Sequence, residues 1–189
     1  MSMLKRLALA LSGLIVALPA FAQDYDLEIG TPVSAEELAR FFAIQPGGTG
    51  LPPGSGSVAE GKEIYHQRCF YCHGEKLEGN YDAAGPALVG GRGSLTSAKP
   101  LKTVESYWPQ ASTLFDYTWR AMPFDQPGSL SADEVYALAA YILSEANIVD
   151  EDARMDAEAL SKIVMPNADG FYDGSGPDLR IYRAGHDDR

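Results

Sequence analysis

The clearest hydrophobic pattern of the chain follows the sequence Ser131-Ala132-Asp133-Glu134. A serine followed three residues later by a glutamate is a capping box, which marks the start of a helix. The apolar positions after it recur at i, i+3, i+4 and i+7, with a tyrosine beside them: Val135, Leu138, Ala139, Ile142 and Tyr141. This pattern predicts an amphipathic helix with one face in a protein core.

A second capping box, Ser57-Val58-Ala59-Glu60, predicts a helix that runs toward Cys69. Its inner face would carry Val58, Gly61, Ile64 and Tyr65. A glycine inside a helix is less favourable than alanine by about 1 kcal/mol. We therefore expect Gly61 to admit another helix at close range, and the helix after Ser131 is the candidate. A glycine that is merely tolerated is the alternative.

Shorter elements lie around these two helices. Ser34-Ala35-Glu36-Glu37 predicts a brief helix with Leu38, Phe41 and Phe42, residues 112–121 predict another, and a short helix is expected near residues 157–163. Residues 46–56 are so rich in glycine and proline that they predict a turn-rich connector. The chain from Asp150 onward ends in a Gly-, Asp- and Pro-rich stretch, which predicts extended surface chain.

The first 22 residues have the order of a secretory signal peptide. Lys5 and Arg6 precede a 12-residue apolar run, and Ala20-Phe21-Ala22 has the form of a cleavage site. An uncleaved anchor is the alternative, but a span needs roughly 20 apolar residues. We therefore predict export to the periplasm and no membrane span after signal removal. The predicted divisions are a signal peptide (1–22), a leader with the connector (23–56), a compact domain (57–146) and a C-terminal extension (147–189).

Composition and charge narrow the function classes. With 189 residues the chain is expected to form one domain with extensions. Removal of the signal takes two basic side chains and no acidic ones, so the formal charge moves from −11 to −13. That excess argues against a nucleic-acid partner, because phosphate binding needs a basic face. Two cysteines are too few for a disulfide framework or a four-cysteine metal site.

The candidate chemistry lies in Cys69-Phe70-Tyr71-Cys72-His73. The spacing C-x-x-C-H is the attachment signature of c-type haem: two thiols form thioethers with one porphyrin, and the histidine binds its iron. Predicted export agrees, since bacteria attach this haem outside the cytoplasm. One alternative is a thioredoxin-like redox pair, which needs a βαβ context that the pattern lacks. The other is a disulfide between Cys69 and Cys72.

A low-spin electron-transfer haem needs a sixth ligand, and a methionine thioether raises its potential. The candidates after signal removal are Met122, Met155, Met165, His66 and His186. Met122 precedes Pro123, which cannot continue a helix, so the chain would turn there with the thioether free to face iron. Met165 also precedes a proline, but in the polar tail. Met155 is typical of packing, His66 lies too near Cys69 on the same helix, and His186 is almost terminal. We expect Met122 to be the ligand.

Four further residues are candidates for the surroundings of the haem. The other ring N–H of a metal-binding histidine needs an acceptor, and the turn Gly85-Pro86-Ala87-Leu88 offers the carbonyl of Pro86. Arg92, Tyr107 and Trp108 are donors that could bind haem propionates. A surface arginine and two core aromatic residues are the alternative.

The order of these features over residues 57–146 resembles a class I cytochrome c. Longer runs resemble the monohaem cytochrome subunits of periplasmic sulfite dehydrogenases and the SoxD-type subunits of the Sox sulfur-oxidation system. These runs are GTGLPPGSGSVAEGKEIY, YWPQASTLFDYTWRAMPFDQPGSLSADEVYALAAYIL and MPNADGF. The resemblance implies an all-α fold around one covalent haem c, with irregular N- and C-terminal extensions. Some such relatives carry two haems, whereas this sequence has one C-x-x-C-H.

The resemblance also implies a function. Such subunits pass single electrons from a molybdenum-containing dehydrogenase to a downstream cytochrome or oxidase. The chain itself is expected not to be an enzyme, because thioethers would use both cysteines and leave no thiolate for molybdenum. Because Gly- and Pro-rich chain contributes little core of its own, the leader, the connector and residues 165–171 are predicted docking surfaces for that partner. A plain solvated tail is the alternative. The alternatives are a generic diffusible electron carrier, and a haem protein with an open sixth site for catalysis or ligand binding.

Overall fold

The computed structural model describes residues 30–34 and 44–171. The chain divides into two compact units, Met1–Ala39 and Arg40–Arg189. In the first unit, residues 30–34 are exposed and form no helix or strand. The predicted signal peptide, the predicted leader helix and His186 lie outside the described residues. Within residues 30–34 and 44–171, no helix is long and apolar enough to cross a membrane.

The regular structure in the described part of the second unit is mainly helical, and the predicted all-α class is confirmed. Its helices are α1 (Val58–Arg68), α2 (Phe70–His73), α3 (Ala111–Ala121), α4 (Ala132–Glu145) and α5 (Ala157–Ser161). A short antiparallel ribbon, β1 (Ser55–Ser57) with β2 (Arg154–Asp156), places Gly56 opposite Met155. The ribbon was not predicted, because strands of three residues are too short to show an alternating pattern.

Both predicted capping boxes are present. The Ser57 backbone N–H donates to Glu60 Oε2 at 2.7 Å, and the Glu60 N–H donates back to Ser57 Oγ at 3.3 Å. Ser131 and Glu134 repeat the arrangement at 2.8 and 3.3 Å. The hydrogen bonds from Ser57 hold the pKa of Glu60 below its usual value. Local sequence therefore fixes where α1 and α4 begin.

Helix α4 forms the centre of the core, with every residue from 135 to 143 buried. Helix α1 crosses it closely at Gly61. A Cβ atom there would lie 2.5 Å from the carbonyl carbon of Ala137 and 2.8 Å from the Cβ of Tyr141. Both distances are much shorter than the ordinary contact distance between carbon atoms, about 3.5–4.0 Å. The prediction that Gly61 allows the close approach of the Ser131 helix is confirmed.

The chain after Asp150 packs on the same core, whereas the sequence placed Met165 in a polar tail beyond the compact domain. The Gly-, Asp- and Pro-rich stretch predicted to be extended surface chain lies mostly outside the described residues. Met155, Leu160 and Met165 are 4%, 1% and 2% exposed and belong to the hydrophobic core. Asn167 Nδ2 donates to the Tyr107 carbonyl at 2.8 Å, and Phe171 lies edge-on to the Tyr107 ring. The short helix expected near residues 157–163 is present as α5 and carries Leu160. Met155 and Met165 lie outside it at a spacing that matches neither helical nor strand periodicity, so the pattern did not reveal their burial.

Candidate functional site

The C-x-x-C-H motif lies where α1 ends and α2 begins. Cys69 separates the two helices, and its carbonyl accepts the N–H groups of Cys72 and His73 at 3.2 and 3.0 Å. This single turn places both thiols and the imidazole within five residues. Both cysteines are half-buried free thiols. Burial raises the pKa of the Cys69 thiol to about 11, opposite to the lowered pKa of a redox-active C-x-x-C cysteine.

The imidazole of His73 is oriented by a backbone carbonyl. His73 Nδ1 lies 2.8 Å from the Pro86 oxygen, the acceptor that the sequence indicated. A carbonyl can only accept, so this contact places the ring proton on Nδ1. In a neutral ring with this tautomer, Nε2 carries the lone pair with which an imidazole binds a metal.

The turn that carries Pro86 packs against the motif at Gly85. A Cβ atom at this position would lie 3.0 Å from the Cα of Cys72 and would overlap its carbonyl group. Leu88 N–H donates to the Leu77 carbonyl at 2.8 Å and holds the far side of the turn. The requirement for a glycine before the proline is therefore steric.

Two methionines that both precede a proline have different surroundings. Met122 caps α3, with its N–H bonded to the Thr118 carbonyl at 3.1 Å, and its side chain is half-buried. Met165 is 2% exposed inside the hydrophobic core, and Met155 is buried there as well. Of the three, Met122 is the one whose side chain is not enclosed by core residues. His66 lies on α1, three residues before Cys69.

Arg92, Tyr107 and Trp108 have protein partners. Arg92 Nε lies 3.0 Å from Glu105 Oε1, and its Nη2 donates to the Ala146 carbonyl at 2.7 Å. The ring of Tyr107 lies under Lys102 Nζ at 4.9 Å. Trp108 is half-buried against the core, and its indole meets Tyr117 edge-on at 5.9 Å. These contacts match the alternative of a surface arginine and packed aromatic residues; propionate binding by the three stays a prediction.

Two polar residues at the site were missed by sequence reasoning. Glu105 ties Arg92 to the backbone of Gly90, whose N–H donates to Glu105 Oε2 at 2.5 Å. Asn80 donates from Nδ2 to the Tyr71 carbonyl at 2.9 Å, inside the motif. A lone carboxylate and a lone amide in irregular chain carry no spacing signal, so only the fold could identify them.

The donor set fits one covalent haem. Two free thiols stand three positions apart, the adjacent imidazole has a free Nε2, and a thioether of the same unit is not enclosed by the core. In c-type haem proteins, thioether links attach the porphyrin to two cysteines, and a histidine and a methionine bind the iron.

Comparison with known proteins agrees with this site. A family model described as cytochrome c matches residues 58–146. The fold resembles a chain in the crystal structure of the sulfane dehydrogenase SoxCD from Paracoccus pantotrophus, with a TM-score of 0.72 and 39% sequence identity. That match covers 86% of this chain and 79% of the other.

Two curated relatives are thiosulfate dehydrogenases. The protein from Stutzerimonas stutzeri (strain A1501) is 28% identical over 70% of this chain and 40% of its own length. The protein from Psychrobacter arcticus (strain DSM 17307 / VKM B-2377 / 273-4) is 30% identical over 53% of this chain and 31% of its own. The chain thus spans less than half the length of either relative. The matched domain, the site and the SoxCD neighbour agree, and the chain belongs to the cytochrome c family.

Proposed function

We propose that the protein is a periplasmic monohaem c-type cytochrome that carries single electrons. In this proposal it is the electron-accepting subunit or partner of a molybdenum-containing dehydrogenase of sulfite or another sulfur compound. The observation that supports the haem-binding part of this proposal is the C-x-x-C-H turn, in which His73 Nδ1 lies 2.8 Å from the Pro86 carbonyl oxygen. That contact leaves Nε2 for iron, and the cysteines of the same turn are free for thioethers.

The chain's own groups have distinct tasks toward the haem. Members of the cytochrome c family hold haem c covalently, and the motif of this chain fits that attachment. Cys69 and Cys72 would hold the porphyrin through thioethers, and His73 and Met122 would bind the iron. When bound, the haem supplies a one-electron couple whose potential depends on its axial ligands and surroundings. The protein would keep His73 and Met122 bound to the iron in both the ferric and the ferrous state.

The choice of Met122 follows from its surroundings. A distal ligand must reach iron without leaving a hole in the core. Met165 already fills the core at 2% exposure, whereas Met122 is half-buried at the end of α3. Withdrawal of Met165 would leave a cavity, and truncation of a buried methionine costs about 2–5 kcal/mol.

The proposed partner rests on the comparisons and on charge. The SoxCD neighbour is named a sulfane dehydrogenase and the curated relatives thiosulfate dehydrogenases, so sulfur-compound oxidation is common to all three. A formal charge of −11 would steer this chain toward a basic face of a partner, an effect that weakens as salt rises. The partner, in this proposal, performs the oxidation and this chain accepts the electrons.

A second candidate is favoured by the names of the curated relatives. Those relatives are named thiosulfate dehydrogenases. If the sixth position on the iron is open to a ligand, the haem domain of this chain could itself act on thiosulfate. A diffusible carrier with no dedicated dehydrogenase is the third candidate.

Ligand substitution separates the first two candidates. Met122→Ala should turn the low-spin haem spectrum into that of a high-spin or water-ligated haem and lower the potential. Met165→Ala is the matched control, which should keep the spectrum and lose stability instead. An unchanged spectrum in Met122→Ala, together with haem reduction by thiosulfate alone, would support the open-site candidate.

Copurification separates the first and third candidates. A tagged protein expressed in its own host should retain a molybdenum-containing dehydrogenase, identified by metal analysis. Isolated dehydrogenase with its substrate should then reduce the haem, more slowly as ionic strength rises. Recovery of the cytochrome alone, with reduction by that dehydrogenase no faster than by unrelated ones, would contradict the partner assignment.

A further inference from the structure

Asn80 bonds both to the C-x-x-C-H turn, which carries His73, and to the turn that carries Pro86. Its side-chain Nδ2 donates to the Tyr71 carbonyl at 2.9 Å, between the two cysteines of the motif. Its backbone exchanges two hydrogen bonds with Gly85, the residue before Pro86, at 2.9 and 3.0 Å. One residue thus joins the turn that carries the imidazole to the turn that carries its acceptor.

The local geometry leaves this contact little freedom. Asn80 Oδ1 accepts the Asp82 N–H at 3.2 Å, which orients the amide so that Nδ2 faces Tyr71. Asn80 is half-buried, and Gly85 packs directly against Cys72. A displacement of Asn80 would therefore move the Pro86 carbonyl relative to the His73 ring.

We propose that Asn80 is a positioning residue for His73, which keeps the Pro86 carbonyl within hydrogen-bond distance of Nδ1. The inference rests on the proposed function in one respect, that His73 binds the haem iron. A hydrogen bond to the outer nitrogen orients a metal-bound imidazole and raises its basicity. A more basic imidazole favours ferric over ferrous iron, so a weakened hydrogen bond should raise the reduction potential.

The test compares Asn80→Ala and Asn80→Ser with Asn167→Ala in the haem-loaded full chain. Serine is too short to reach the Tyr71 carbonyl, yet its oxygen can still accept the Asp82 N–H and keep the turn. Asn167 is a matched control, since its Nδ2 also donates to the carbonyl of an aromatic residue, Tyr107, at 2.8 Å. The measurements are the reduction potential and the paramagnetic NMR shifts of the His73 ring.

Both Asn80 variants should have a higher potential, with the ferric-to-ferrous equilibrium constant changed at least about threefold, and altered His73 ring shifts. Asn167→Ala should lose stability but keep both values. Wild-type potential and ring shifts in folded Asn80→Ala and Asn80→Ser would overturn the inference while the proposed function stands. A wild-type haem without a histidine ligand would instead overturn the proposed function, and the inference with it.

A measurement on the wild-type protein covers the case in which both Asn80 variants fail to fold. In the reduced, diamagnetic protein, the side-chain amide protons of Asn80 should exchange with solvent at least about tenfold more slowly than those of a free asparagine. The His73 Nδ1 proton should be protected to a similar degree. Rapid exchange of either proton would overturn the inference.

Discussion

Substitution of Gly61 by alanine sets helix propensity against packing between α1 and α4. In an isolated helix the change would be favourable by about 1 kcal/mol. In this fold the new Cβ would lie 2.5 Å from the carbonyl carbon of Ala137 and 2.8 Å from the Cβ of Tyr141. Backbone of the central helix cannot rotate away as a side chain can, so α1 must retreat by about 1 Å to restore ordinary contact.

That retreat affects the whole interface between the two helices. Overpacking typically costs about 1–3 kcal/mol. A gap of about 0.5–1 Å between the helices also removes roughly a quarter to a half of the dispersion energy of each contact along them. The Tyr65 ring packs on Tyr141 at 5.3 Å and its hydroxyl donates to the Gly74 carbonyl at 2.6 Å, so it would be displaced too. Because the obstacle is backbone, we take the upper end of the overpacking range, and after subtraction of the propensity gain we expect a net loss of about 2 kcal/mol.

The measurement is unfolding of the haem-loaded protein by urea, followed by circular dichroism. Gly47→Ala is the matched control, because a Cβ at Gly47 meets no atom within 4 Å. Its free energy of unfolding should stay within about 0.5 kcal/mol of the wild-type value. A Gly61→Ala protein as stable as the wild type, or more stable, would refute the packing argument and show that the two helices separate without cost.

Two further predictions concern other parts of the unit. Truncation after Asp150 removes Met155, Leu160 and Met165 from the core; we expect a loss above about 4 kcal/mol, and an unchanged unfolding midpoint would contradict the packing of this segment. Burial raises the pKa of Tyr136 to about 12, whereas an unfolded tyrosine titrates near 10. The contribution of Tyr136 to stability is therefore complete below pH 10 and falls by up to about 1.4 kcal/mol per pH unit between pH 10 and 12. Tyr136→Phe gives up the hydrogen bond to the Pro52 carbonyl, about 1 kcal/mol, but should show a shallower alkaline loss; equal slopes would contradict this assignment.

The spacing of residues along the chain could not distinguish the surroundings of Met122 from those of Met165. Each precedes a proline, and only the folded chain distinguishes a half-buried helix end from a position enclosed by the core. The carbonyl of Pro86 could be indicated in advance, because a metal-binding histidine needs an acceptor for its other N–H and a Gly-Pro turn follows the motif. Glu105 and Asn80 could not, since their partners depend on where irregular chain comes to lie.

Local sequence determined the features that depend on near neighbours. The capping boxes at Ser57 and Ser131, the helices behind them and the C-x-x-C-H turn need only residues within a few positions, so short-range sterics and hydrogen bonds specify them. Tertiary structure decided the pairing of β1 with β2 and the burial of Met155 and Met165. These segments lack periodicity of their own and acquire structure from the residues on which they pack. In the case of the two strands, the partners lie about a hundred residues apart in the sequence.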